Sequence, residues 1–309
     1  MMLRRILLYL SMAGWARFMV TRWGLARNMA RRFVAGETLD DALSATHALN
    51  RKGMTVSLDY LGESVKSVAD TEAVVATYRT LIDRIQREGA QASVSLKLTH
   101  LGLDISEDLC VTNLRHILTD AKAHHILVTI DMESSDYTER TLRLYRTLRD
   151  EYDFPNVGTV IQTYLRRSAQ DMRELAAEGA HIRLCKGAYL EPETVAFPDK
   201  GDVDRNYVEI MTAYLQAPPP AYLCIATHDE RIIQKAERLL ENNSAYTSHS
   251  EFQMLYGVRT ARQEALATAG FPVRVYVPFG EAWYPYFMRR LAERPANLWF
   301  FAKNFFGGK

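Results

Sequence analysis

Short apolar runs alternate with longer amphipathic stretches along most of this chain. Residues 54–61 (MTVSLDYL) form the first strand-like run, and helical periodicity follows near 70–88. Similar runs at 92–98, 126–131 and 159–162 precede helices near 107–123, 136–149 and from about 168. Those at 181–186, 222–226 and 273–277 precede helices near 204–216, 229–241 and 283–293. A seventh, weaker strand falls within 245–251, with its helix near 261–269. Eight alternations with short strands, expected to be buried on both faces, predict an α/β fold, a closed parallel (β/α)8 TIM-like barrel. An open doubly wound sheet would carry a glycine-rich turn after its first strand; none is present. The expected division is a basic helical arm over 1–44 and one barrel domain over 45–309, since such barrels fill about 250 residues as one unit.

Composition changes this picture little. A net charge of +1 gives no reason to expect nucleic acid as a partner. Three cysteines, Cys110, Cys185 and Cys224, form no Cys-x-x-Cys pair, which fits a reducing, cytoplasmic compartment. Charge is unevenly placed, however. Residues 1–36 carry seven arginines and no acidic side chain, interleaved with Trp15, Phe18, Trp23 and several leucines. No apolar run there approaches the roughly 18 residues that span a bilayer. Two uses suit such an arm: peripheral contact with the inner face of the cell membrane, or packing against the barrel or in a homo-oligomer. A cleaved signal peptide is the lesser reading.

Barrel chemistry sits at the C-terminal strand ends. Polar residues fall there in series: Glu63, Lys97, Asp131, Gln162, Arg183, Lys186, His228 and Glu251. One alone would be an ordinary loop residue; the series predicts a wet, charged pocket. Lys97 or Lys186 would serve as a Schiff-base nucleophile if unpaired in an apolar wall. Together with Arg183, Arg289 and Arg290 they fit carboxylate and phosphate groups instead. Arg289–Arg290 alone would be a solvated helix face, but the pair follows the VYVPFG strand-turn by about two helical turns. Asp131 and Glu63 are candidates to hold these arginines, and Tyr276 and Tyr286 to wall the pocket. No metal-ligand spacing, Ser-His-Asp set, P-loop or dinucleotide fingerprint is apparent. The residues thus predict a barrel enzyme for an acid substrate with a phosphorylated cofactor, leaving aldolase and flavin oxidoreductase both open.

Nine stretches go further: RRFVAGETLDDAL (31–43), SLDYLGE (57–63), SLKLTHLG (95–102), TIDME (129–133), VIQTYLRRS (160–168), IRLCKGAYLE (182–191), ATHD (226–229), EFQMLYGVR (251–259) and VYVPFGEAWYPYFMRRLAERPANLWF (275–300). In this order they resemble the proline dehydrogenases, specifically the short monofunctional bacterial type. The resemblance implies FAD-dependent oxidation of L-proline to Δ1-pyrroline-5-carboxylate, with hydride passing to the flavin and electrons to membrane quinone. It implies that Lys97, Arg289 and Arg290 bind the substrate carboxylate, while Leu184, Tyr276 and Tyr286 surround its ring. Asp131 would orient an arginine of the pair, and Glu63 would gate the site with Arg289. Gln162, Arg183, Lys186, Gly187, Ala188, Tyr189, Thr227, His228 and Glu293 would contact FAD. The chain departs at Asp229, where members often carry asparagine, and at Cys185, where valine is common and any small buried residue suffices. The competing readings are a class I aldolase-type barrel and a non-enzymatic binding protein that kept the barrel.

Overall fold

The computed structural model describes residues 30–293, Glu63 apart. Helix α1 (Leu39–Asn50) leads into β1 (Thr55–Tyr60), α2 (Val68–Arg87), β2 (Ala92–Leu96), α3 (Glu107–Ala123) and β3 (Val128–Ile130). Then come α4 (Ser135–Arg146), β4 (Val157–Gln162), α5 (Ser168–Ala177), β5 (His181–Cys185), α6 (Lys200–Tyr214) and β6 (Tyr222–Ala226). The chain continues through α7 (Glu230–Asn242), β7 (Ser250–Leu255), α8 (Thr260–Thr268), β8 (Val273–Phe279) and α9 (Trp283–Glu293). Strands β1 to β8 pair in sequence order and β8 closes on β1, all in parallel. This is the (β/α)8 barrel expected. Helix α1 runs across residue 44 and packs on β1 and β8.

Local chemistry starts the helices cleanly. Thr38 and Asp41 form a reciprocal capping box on α1. Ser67 and Ser106 cap α2 and α3, and Asp199 and Asp229 cap α6 and α7, each accepting from a first-turn N–H. No helix of the described residues is long and apolar enough to cross a membrane.

The strands are not apolar on both faces. Val56, Leu58, Val94, Leu96, Val128 and Ile130 face outward into the main core shared with the helices. The alternating positions, Ser57, Asp59, Ser95, Thr129, Arg183 and Gln253, are buried and polar. They line the barrel interior, because period-2 alternation sends neighbours to opposite faces. The seventh strand starts later than expected. Ser244–His249 forms a 3-10 turn, so β7 begins at Ser250 and Glu251 lies at the N-terminal end of the barrel, not at its mouth. There Glu251 accepts from Arg274 Nε at 2.7 Å. Burial would raise this carboxyl, but Arg274 and Gln253 hold it below its ordinary range.

A second apolar cluster joins α9 to the chain that precedes the barrel. Phe33 and Val34 pack with Trp283, Phe287 and Leu291. The backbone of this leading segment bonds to the β8 end, Ala35 N–H to Pro278 O and Gly280 N–H to Gly36 O, both at 2.9 Å. Gly257, at φ +68°, lies so close that an added Cβ would sit 1.6 Å from Arg32 O.

Candidate active site

A cavity of about 780 Å³ opens at the C-terminal mouth of the barrel. That volume lies within the ordinary range for small-molecule sites. Its floor is a network built from five strands. Arg183 on β5 donates through Nε to Gln253 Oε1 at 2.6 Å, through Nη1 to Asp131 Oδ1 at 2.5 Å and through Nη2 to Ser95 Oγ at 2.8 Å. Its guanidinium also lies over the Tyr276 ring, 5.1 Å from the centroid. The Tyr276 hydroxyl stands between two carboxylates, 2.5 Å from Asp59 Oδ2 and 2.8 Å from Asp131 Oδ2. Burial, then the charges of Asp131 and Asp59, push this phenol well above its ordinary pKa, so it keeps its proton. Lys97 Nζ donates to Asp59 Oδ2 at 3.1 Å and lies 3.7 Å from Asp131 Oδ2. Two cations and two anions therefore balance on the floor.

Above it, α9 presents Tyr286, Arg289 and Arg290 to the cavity. Spacings of three and four residues place them on one helix face. The Arg290 guanidinium lies over the Tyr286 ring, 5.0 Å from the centroid. These two arginines, Lys97, Tyr276 and Tyr286 thus converge on one space, which suits a small carboxylate with an apolar ring.

On the other wall stand Gln162, Lys186, Gly187, Ala188, Tyr189, Thr227 and His228. Gln162 Nε2 is fixed by the carbonyls of Met132 and Glu133, at 3.1 and 3.3 Å. Its Oε1 is buried with no hydrogen-bond partner among the described residues. A rigid acceptor of this kind suits a ring imide N–H of a ligand. Gly187, at φ +104°, packs where an added Cβ would meet the Tyr164 ring at 2.2 Å, so only glycine lets the backbone pass. Leu255 N–H donates to His228 Nε2 at 3.1 Å, which leaves the proton of the neutral ring on Nδ1. Thr227 Oγ1 accepts from Asp229 N–H at 3.1 Å. Flavin-type groups fit this donor and acceptor set.

Three expectations are corrected. Leu184 does not reach the cavity: it alternates with inward-facing Arg183 and lies fully buried in the core toward α6, whose Tyr207 donates to its carbonyl. Asp131 orients Arg183, not the α9 pair. Cys185 is half-buried on the cavity wall. Glu63, residues 1–29 and the side chain of Glu293 lie outside the described residues. Nor do the lysines suit imine chemistry. Lys97 pairs with Asp59, and Lys186 with Asp204 and Asp229, so neither stands unpaired in an apolar wall. Residues missed by the sequence reading are Asp59, Ser57, Ser95 and Gln253; their signal was the polar alternation within strands.

Comparison with known proteins agrees with this geometry. The family described as proline dehydrogenase matches residues 42–303. Proline dehydrogenase 1 of Bacillus subtilis is 43% identical over 98% of this chain and 98% of that protein. The Deinococcus radiodurans proline dehydrogenase is 42% identical over 91% of both. Among solved structures, proline utilization A of Bdellovibrio bacteriovorus superposes with a TM-score of 0.80 at 26% identity, covering 87% of this chain and 33% of that one. The chain belongs to the proline dehydrogenase family of enzymes.

Proposed function

We propose that this chain oxidises L-proline to Δ1-pyrroline-5-carboxylate with bound FAD and passes the electrons to membrane quinone. One observation carries the reading: a single cavity joins a cationic, aromatic-walled end to a wall bearing the fixed Gln162 acceptor. Arg289 and Arg290 bind the substrate carboxylate in forked contacts, with Lys97 adding charge from below. Tyr276 and Tyr286 flank the ring and restrict it to one orientation, and Tyr276 crowds a 4-hydroxyl, selecting against hydroxyproline. Alignment is the main requirement, since hydride transfer needs near-contact geometry rather than an acid or base at carbon. Gln162, Lys186, Gly187, Ala188, Tyr189, Thr227, His228 and Glu293 hold the cofactor. FAD, when bound, supplies the hydride acceptor. Arg183, fixed by its partners, is a preorganised positive charge for the negative charge that reduction creates. Glu63 gates the substrate end with Arg289, and the basic, Trp-bearing stretch ahead of the packed residues 30–36 makes the membrane contact.

The visible spectrum of the purified protein, followed by L-proline without oxygen, tests this reading. A yellow absorbance that bleaches with proline supports it. A colourless protein unable to rebind FAD removes it.

A further inference from the structure

Beside the cavity, the loop after β5, the first turns of α6 and the loop after β6 bring together four charges, of which only Lys186 enters the reading above. Lys186 Nζ bonds Asp229 Oδ2 at 2.7 Å and also Asp204 Oδ1. Lys200 Nζ bonds Asp204 Oδ2 at 2.8 Å and lies 3.4 Å from Asp229 Oδ2. Lys186, Lys200 and Asp229 all line the cavity. Other cavity cations have different surroundings: Lys97 and Arg183 are matched by Asp59 and Asp131 on the floor, and Arg289 and Arg290 face the substrate end. Lys186 and Lys200 are the cations left for the phosphates of a dinucleotide, and ammonium groups suit phosphate as point charges.

Resting on the FAD reading above, we propose that Asp229 is an internal competitor for the cofactor's phosphates, holding Lys186 and Lys200 when FAD is absent and setting FAD affinity by charge. A pyrophosphate that takes the two ammoniums meets the Asp229 carboxylate beside them, and the like charges repel. Before this exchange Asp229 is ionised: burial would raise its carboxyl, but the Lys186 bond and charge outweigh that and hold it down to about 2. Its other oxygen, Oδ1, accepts from Arg231 N–H at 3.1 Å and caps α7. Asparagine caps as well as aspartate, so Asp229→Asn removes the charge and keeps the helix start.

The full chain is stripped of flavin and titrated with FAD and with riboflavin, which lacks phosphate, following flavin fluorescence. Asp229→Asn should bind FAD about fivefold to tenfold more tightly, the scale of one partly exposed charge at contact distance. Riboflavin affinity should stay unchanged, and the gain for FAD should shrink in 0.5 M salt. Lys186→Met should weaken FAD by a similar factor and leave riboflavin alone. Equal FAD affinity in Asp229→Asn and the parent overturns the proposal, as does an equal gain for riboflavin. No flavin binding in any form removes the FAD reading with it, so the two failures are distinct.

Discussion

Asp131, the residue after β3, reaches Arg183 on β5 with a 2.5 Å contact to Nη1, spanning the barrel floor past β4. Both side chains are largely enclosed, at 13% and 8% exposure. The contact therefore sets where the guanidinium lies beneath the ligand space, and Gln253 and Ser95 only complete its fork.

Asp131→Ala leaves that cation without its counter-ion. Breaking a buried pair from one side costs about 3–5 kcal/mol, and the urea midpoint should fall by that loss divided by the m-value. Asp131→Asn keeps an acceptor and should lose less. Proline-driven flavin reduction should slow in both, and full rates in Asp131→Ala would mean the pair is structural only.

Arg289→Ala and Arg290→Ala should each raise KM for proline by about 30-fold or more, because truncating a hydrogen-bonded charge partner costs about 2–5 kcal/mol. FAD should stay bound, which its absorbance in the purified variants reports. Loss of flavin from both variants would place the pair against the wrong ligand.

Stability should fall with acid through His181. This ring stacks on Tyr222 at 4.5 Å and its Nε2 lies 3.1 Å from Cys224 Sγ. Burial lowers it from 6.5 to about 4. The unfolded chain therefore takes up a proton between pH 6.5 and 4 that the folded chain refuses. Stability from this group is full above 6.5 and declines by up to about 3 kcal/mol toward pH 4. His181→Gln should flatten that segment of the stability curve, measured by denaturant unfolding at pH 7, 5.5 and 4.5.

Deleting residues 1–29 should lower binding to anionic vesicles and quinone-linked turnover, and spare flavin reduction by proline. Vesicle binding that survives the deletion would assign the arm to another role.

Much of this was legible in the chain because strand and helix periods differ. Apolar runs ending in Lys97, Asp131, Gln162 and Lys186 marked the mouth correctly. The barrel interior was harder to read. Asp59 sits within the run 54–61, so it looked like an interruption of an apolar strand. Its role comes from Lys97 and Tyr276, which lie 38 and 217 positions away. β7 was misplaced because Glu251 and Gln253 alternate with Phe252 and Met254, giving no continuous apolar run. Leu184 was drawn to the ligand by its neighbours Arg183 and Lys186, although period-2 geometry sends it the other way.

Phe33 and Phe287, with ring centroids 6.3 Å apart, couple the first described turn of the chain to its last described helix. Trp283 Nε1 adds a 3.2 Å bond to Glu37 Oε1. The two arginines that α9 presents to the cavity thus ride on a helix whose seat includes residues more than two hundred positions earlier. Phe33 and Val34 are synthesised before any strand of the barrel and α9 after all eight, so the helix that presents Arg289 and Arg290 to the cavity cannot take its seat until the last described residues have been made.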